Sequence, residues 1–135
     1  MATLVLSQAE LARVAALAYE GETITVMLCL LGAEAYTAED LVTDWETIEI
    51  SGNGYTRWTS PTISAGSYSN TTYQYRLPQI SAQFTASGAG YSYNTVVIYV
   101  SGCDYPYAIV TEDPNIALAS GQTQTYQITL ITDDA

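Results

Sequence analysis

The sequence predicts a mainly β chain, an antiparallel β-sandwich or jelly roll with one short N-terminal helix, and three observations predict it. About eight short segments are dense in β-branched and aromatic residues, many with the alternation of half-buried strands. Gly, Pro and Asn punctuate them as turns. Strand and helix do not alternate, which argues against a parallel α/β sheet and for antiparallel pairing. A length of 135 residues suits one hydrophobic core. Residues 1–135 are therefore expected as a single domain, with the helix over 7–21 and strands over 22–132.

The helix signals come first. Ser7 and Glu10 have capping-box spacing, which places Leu6 and Leu11 to form a hydrophobic staple. Leu11, Val14, Ala15 and Ala18 make one apolar stripe, and Gly21 supplies a left-handed stop. The expected role is to cover one side or edge of a sheet. Glu22–Leu31 then reads as a strand in which Ile24, Val26, Leu28 and Leu30 face one way, while Met27, Cys29 and Leu31 are apolar on the other. Such a strand is buried on both faces. One face suits the domain core, and Met27, Cys29 and Leu31 are left for the helix or for a neighbouring subunit.

Residues 32–44 form an acidic connection carrying Glu34, Glu39, Asp40 and Asp44, with a helical turn after Thr37. Trp45–Ile50 and Tyr55–Thr59 flank Ser-Gly-Asn-Gly, a β-hairpin signature, because Asn-Gly supplies the positive φ values of a tight turn. Ile48 and Ile50 are expected inward, Thr47 and Glu49 toward water. Residues 60–72, rich in Ser, Thr and Gly, read as a long surface loop around one weak strand, where contacts with other molecules concentrate. Tyr73–Leu77 and Ile80–Thr85 read as short strands on either side of Pro78, with Ile80, Ala82 and Phe84 inward. After a turn at Ser87–Gly90 come strands at Tyr93–Val100, Ala108–Glu112 and Thr123–Thr132, the last with Tyr126, Ile128 and Leu130 on one face.

Charge limits what the chain can touch. It has no Lys and no His, three Arg (Arg13, Arg57, Arg76) and fourteen acids, for a net charge of −11. A nucleic-acid surface needs several Lys or Arg to displace condensed counterions, so DNA and RNA are excluded as direct partners. The lack of a polybasic segment excludes anionic membrane surfaces in the same way. The N-terminal stretch has no basic n-region, and Glu10 and Arg13 interrupt its apolar run, so no signal peptide is expected. No run reaches the roughly 18 apolar residues of a membrane span. A cytoplasmic origin follows, with Cys29 and Cys103 as thiols and Cys29 buried within its apolar run.

Without histidine, Ser-His-Asp, Cys-His and His-metal sites are impossible. Without lysine there is no Schiff base and no phosphate-loop lysine. No catalytic residue, cofactor or metal site is assigned. Glu112-Asp113 and Asp133-Asp134 survive as carboxylate pairs for glycoside hydrolysis, but neighbours on a strand point to opposite faces. With Asp104 they offer oxygen ligands for Ca²⁺, yet no Asp-x-Asp-x-Asp-Gly loop supports that use, and solvated charge is the simpler reading. Twelve tyrosines and two tryptophans point instead to contact. Tyr68, Tyr73 and Tyr75, then Tyr91 and Tyr93, then Tyr105 and Tyr107 fit a subunit interface or a sugar-stacking platform, beside the ordinary preference of Tyr for strands. Arg57 and Arg76 are the structural polar candidates: buried beside acids, each would make bidentate carboxylate pairs, with a plain surface position as the alternative.

The stretch Asp44-Trp45-Glu-Thr-Ile-Glu-Ile-Ser-Gly-Asn-Gly-Tyr55-Thr-Arg57, followed by Leu77-Pro78-Gln-Ile-Ser-Ala-Gln-Phe84-Thr-Ala and Tyr93-Asn-Thr-Val-Val-Ile-Tyr99, resembles small bacteriophage virion proteins. These are tail-fibre-like or head-decoration proteins in which a Trp-containing strand leads through Gly-Tyr-x-Arg into a β-sandwich. The resemblance covers residues 44–100. It implies a structural role with no catalytic set, in many copies on a virion assembled in the host cytoplasm. The implied partners are the chain's own copies, often as trimers, and the major capsid protein or tail proteins. Head decoration, a cement role, comes first because an acidic, lysine-free module suits the outside of a DNA-filled shell. A tail-fibre, adaptor or baseplate component comes second, with Tyr68, Tyr73 and Tyr75 facing a host glycan. A cellular carbohydrate-binding module is the third reading.

Overall fold

A computed structural model describes residues 7–72 and 74–133. Their order is α1 (Gln8–Ala18), β1 (Ile24–Cys29), α2 (Val42–Glu46), β2 (Trp58–Thr59), β3 (Ser67–Ser69), β4 (Gln74–Arg76), β5 (Ile80–Thr85), β6 (Tyr91–Val100), β7 (Ala108–Leu118), β8 (Thr123–Ile128) and β9 (Ile131–Asp133). The chain is mainly β, and every strand pair is antiparallel. Four strands form the sheet β2-β1-β6-β7, three form β3-β4-β9, and β5 pairs with β8.

α1 starts where its cap requires, with Ser7 Oγ accepting the Glu10 N–H at 3.1 Å. The Glu10 carboxylate goes to Arg13 rather than back to the cap, and Leu6 lies outside the described residues. The inward row is Leu11 and Ala15, buried, with Ala12 and Tyr19 half-buried beside them. Val14 and Ala18, expected in that stripe, are exposed, because the i, i+4 row Leu11-Ala15-Tyr19 is the one that faces the sheet. The helix stops at Ala18, short of 21, and Gly21 (φ +82°) turns the chain. α1 packs on β3, β4 and β9.

All six residues of β1 are buried, as its two apolar faces require. Its pairing with β6 runs from Ile24↔Val100 to Cys29↔Thr95. Ile24, Val26 and Leu28 join Val96, Ile98, Val100, Ala82, Phe84, Ile128 and Leu130 in the larger core. Met27 and Cys29 face the other way and join Val97, Tyr99, Val42 and Trp45 in a second core. Its cover is α2 of the same chain, so Met27 and Cys29 have no surface to offer a neighbouring subunit, and Leu31 packs half-buried at the rim of that cluster. Trp45 is wholly buried; its Nε1–H donates to the Thr37 carbonyl at 3.1 Å, and the Tyr36 ring meets it edge-on. Truncating such a ring costs roughly 3–5 kcal/mol.

The expected hairpin does not form, although its turn does. Asn53 (φ +52°) and Gly54 (φ +84°) are the central residues of a turn closed by the Tyr55 N–H on the Gly52 carbonyl at 3.1 Å. The arms then bind β1 instead of each other. Ile48–Ile50 takes the far end of its edge, through Leu30 N–H to Ile48 O at 3.0 Å and Ile50 N–H to Leu28 O at 3.1 Å. β2 takes the near end, with Val26↔Trp58 and Thr25↔Thr59. A central, doubly buried strand cannot leave its second edge unpaired, and that demand outranks a local hairpin. Trp45, expected on a strand, sits in α2; Glu49, expected in water, turns toward Arg57.

Two further strands depart from expectation. β7 continues past Glu112 to Leu118 through an irregular stretch at Glu112–Asn115, opposite Asn94, that contains the cis Asp113-Pro114 bond. The last strand divides at Thr129–Leu130: β8 pairs with β5 and β9 with β4, so one short segment serves two sheets.

The tightest backbone approach is at Gly66, where a Cβ would lie 2.0 Å from the Arg76 carbonyl oxygen. At Gly102 (φ +86°) a Cβ would meet nothing within 4 Å. Gly66→Ala is expected to lower the unfolding free energy by roughly 1–3 kcal/mol or more through overpacking, and Gly102→Ala by about 1 kcal/mol through left-handed strain alone. Urea denaturation of both variants checks this; equal losses would contradict the close β3–β4 approach.

Candidate functional site

The densest polar cluster lies on the open edge of β1, between the two segments that pair with it. The Leu28 N–H is accepted by Tyr55 Oη at 3.0 Å, and that hydroxyl donates to Glu49 Oε2 at 2.6 Å. Arg57 grips the same carboxylate with both ends of its fork, Nε to Oε2 and Nη2 to Oε1, each at 2.7 Å. Its Nη2 also donates to Glu46 Oε2 at 3.1 Å and its Nη1 to Tyr99 Oη at 3.2 Å. Glu46 ends α2 and Tyr99 lies on β6, so one guanidinium joins the lid of the second core to the sheet beneath it. The Glu49 side chain is 14% exposed and Arg57 36%. The bidentate pairing anticipated for Arg57 is present, at a half-open edge rather than in the interior.

The cluster holds its protons firmly. The Glu49 carboxylate, hydrogen-bonded to the fork, raises Arg57 above its ordinary range against the opposing effect of burial, and Glu46 adds to the rise. Burial raises the Tyr55 phenol, and its hydrogen bond to the Glu49 carboxylate raises it further. Burial likewise pushes the Cys29 thiol up to about 12, with Glu49 contributing. A guanidinium held by two carboxylates, a neutral phenol and a protonated thiol tie backbone and side chains together. Their chemistry is that of a clamp.

Asn94 makes a second polar tie. Its Oδ1 accepts the Leu31 N–H at 2.7 Å and its Nδ2 donates to the Leu31 carbonyl at 2.8 Å, so a side-chain amide continues the β1–β6 ladder beyond Cys29. Across the larger core, the Tyr93 and Tyr126 hydroxyls lie 2.7 Å apart and Tyr126 donates to Glu112 Oε1 at 3.4 Å.

The contact candidates separate. Tyr93 and Tyr75 are buried, and the Tyr75 hydroxyl accepts the Gly66 N–H and donates to Glu20. Tyr68 and Tyr91 are half-buried; Tyr91 packs against Tyr55 and Tyr93, since residues i and i+2 of a strand share a face and here it is the inner one. Tyr107 is half-buried edge-on to Tyr19, its hydroxyl accepting the Ile131 N–H. Tyr105, 58% exposed, keeps an open ring. Tyr73 and Asp134 lie outside the described residues. Arg76 is exposed and donates to Gln74 Oε1; among the described residues no carboxylate pairs with it. Asp104 and Asp113 are exposed, and among the described residues no three Cys, Asp or Glu gather as a metal site.

The sequence reading missed Glu46, Glu49, Tyr55 and Tyr99 as partners of Arg57. The available signal was the spacing Tyr55-x-Arg57, which puts both side chains on one side of an extended segment. Comparison with family models, curated proteins and solved structures yields no match. Among the described residues no helix is long and apolar enough to cross a membrane.

Tyr55→Phe removes both the acceptor of the Leu28 N–H and a donor to Glu49, and is expected to cost roughly 1–3 kcal/mol. In a double-mutant cycle with Arg57→Ala the losses should be non-additive, because both variants act on one carboxylate; additive losses would contradict the shared clamp.

Alkaline pH should loosen the fold. Cys29, Tyr55 and Tyr93 all have raised values when folded, so the unfolded chain loses these protons first. Their contribution is complete below about pH 8, where the unfolded thiol and phenols are still protonated, and is lost as pH climbs through the folded values. Urea midpoints should therefore fall from pH 8 to pH 11. A thiol reagent at pH 8 should modify exposed Cys103 in the native protein and buried Cys29 only in denaturant; prompt native reaction of Cys29 would contradict the assignment.

Proposed function

We propose that this chain is a structural assembly module, a β-sandwich that works in many copies on a bacteriophage particle, foremost as an outer head-decoration protein. The observation that carries the reading is what remains outside after both cores are filled. Large apolar side chains still stand in solvent, Val14 with Leu17 on α1, and Leu41 and Tyr105 on two loops that meet through the Val42 N–H on the Asp104 carbonyl. Single exposed aliphatics are ordinary, but neighbouring ones on a strongly acidic surface mark places where another protein sits. The sandwich reading is supported by the larger core, which draws on the four-stranded sheet and on the β5–β8 pair.

The glycan reading has less support. Tyr75 is enclosed and Tyr68 half-covered, so the expected stacking platform of Tyr68, Tyr73 and Tyr75 has lost one of its three rings. The main clamp, for its part, joins elements of the chain to one another.

The test is co-sedimentation with expanded heads assembled from the major capsid protein of the particle to which this reading assigns the chain. Uptake in fixed copy number, with no retention on host polysaccharide, is the expected outcome. Binding to polysaccharide with no uptake by heads would overturn the decoration reading. Turnover of a glycan, abolished by a single Asp or Glu substitution, would overturn the structural one.

A further inference from the structure

We infer that the outward face of α1 is a self-docking surface, on which a second copy of this chain lays its own α1 antiparallel about a two-fold axis. The inference rests on the assembly reading and names one of its contacts. Leu17 is 74% exposed and Val14, one turn earlier, 36% exposed. Ala9, Ala16 and Ala18 are exposed around them. A helix that faced only water would carry a polar outer face, whereas Gln8 and Arg13 are the only fully exposed polar residues on this one.

Charge selects the occupant. With a net charge of −11, two copies meeting at most faces bring acids against acids. Within Gln8–Ala18 the ionisable side chains are Glu10 and Arg13 alone, and they pair with each other, so the helix is locally neutral. Glu20, just beyond it, is half-buried and holds the Tyr75 hydroxyl. The face is also self-complementary, as an isologous contact requires, because it carries one acid, one base and an aliphatic pair. In an antiparallel pair centred between Arg13 and Val14, each Leu17 lies over the methylene stems of the other helix's Glu10 and Arg13.

Size sets the strength. Three turns of helix span about 16 Å, and one such face per partner falls below the roughly 1,000 Å² of a stable interface. The contact is therefore weak in dilute solution and grows with concentration. It also grows with salt, which screens repulsion between the acidic bodies and leaves the apolar contact intact.

Sedimentation velocity of the full chain, in a Cys103→Ser background to exclude disulfide dimers, tests this from about 10 μM to about 1 mM. The mean mass should rise with concentration, more steeply at high salt. Leu17→Glu should weaken association at least about tenfold while leaving the thermal midpoint unchanged; if the midpoint moves, Leu17→Ser supplies the same comparison. Val14→Cys in that background should oxidise to a dimer, since Val14 lies beside the axis. A monomer at every concentration would overturn the inference, as would self-association indifferent to Leu17 or Leu17-dependent binding of a monomer to phosphatidylcholine vesicles. If the dimer depends on Leu17 but heads take up no protein, the decoration reading fails and the self-contact stands. If heads take up protein while self-association ignores Leu17, the reverse holds.

Discussion

A strand that is apolar on both faces forces the rest of the chain to supply two covers, and β1 imposes that condition here. One cover is the opposing set of strands, with Ala82, Phe84, Ile128 and Leu130. The other is α2, whose Val42 and Trp45 close over Met27, Cys29, Val97 and Tyr99. Each large apolar side chain so buried stabilises the fold by roughly 1.5–3 kcal/mol. Leaving the second face open would forfeit that contribution for several residues at once. The long acidic connection from residue 32 onward is therefore anchored, despite its charge, by the residues that follow it.

Covering both faces still leaves the edge of β1, and here polar chemistry takes over. Ile48–Ile50 and β2 supply backbone partners at either end, and the phenol of Tyr55 fills the gap between them by accepting the Leu28 N–H. That hydroxyl needs an acceptor of its own, which Glu49 provides. Glu49 is only slightly exposed and needs a counter-charge, which Arg57 provides. Each group in this sequence answers the need created by the previous one. One of the chain's three arginines is therefore committed to an edge and not to a partner.

The sequence revealed the strands and hid much of their pairing. β1, β5 and β6 were legible because their apolar residues are set by burial, and the start of α1 was legible because its cap is local, whereas its end falls at Ala18 rather than at Gly21. The turn at Asn53-Gly54 was legible for the same reason, since positive φ is a property of those two residues. The hairpin around it was not, because whether two extended arms pair with each other or with a third strand is decided by a distant edge. α2 had a signal: Val42 and Trp45 are three apart, a helical spacing, with Asp44 placed to accept the Leu41 N–H at the helix start. The tyrosine clusters misled because a phenol suits an interior with a polar partner as well as a surface. Tyr93, with Tyr126 beside its hydroxyl, and Tyr75, with Glu20, found such partners inside.

On the assembly reading, the outer surface of this chain bears on its function more than its interior does. Among the described residues both cores are filled from within and the main polar cluster satisfies itself, while apolar side chains such as Leu17 remain exposed. On the assembly reading, a net charge of −11 keeps free copies apart, and only locally neutral faces such as α1 permit contact. A contact too small to hold two molecules in dilute solution can still hold them once both are attached to one particle, because the second encounter then takes place at a high effective concentration. Weak, neutral and repeated contacts would let an acidic module remain dispersed until a scaffold brings its copies side by side.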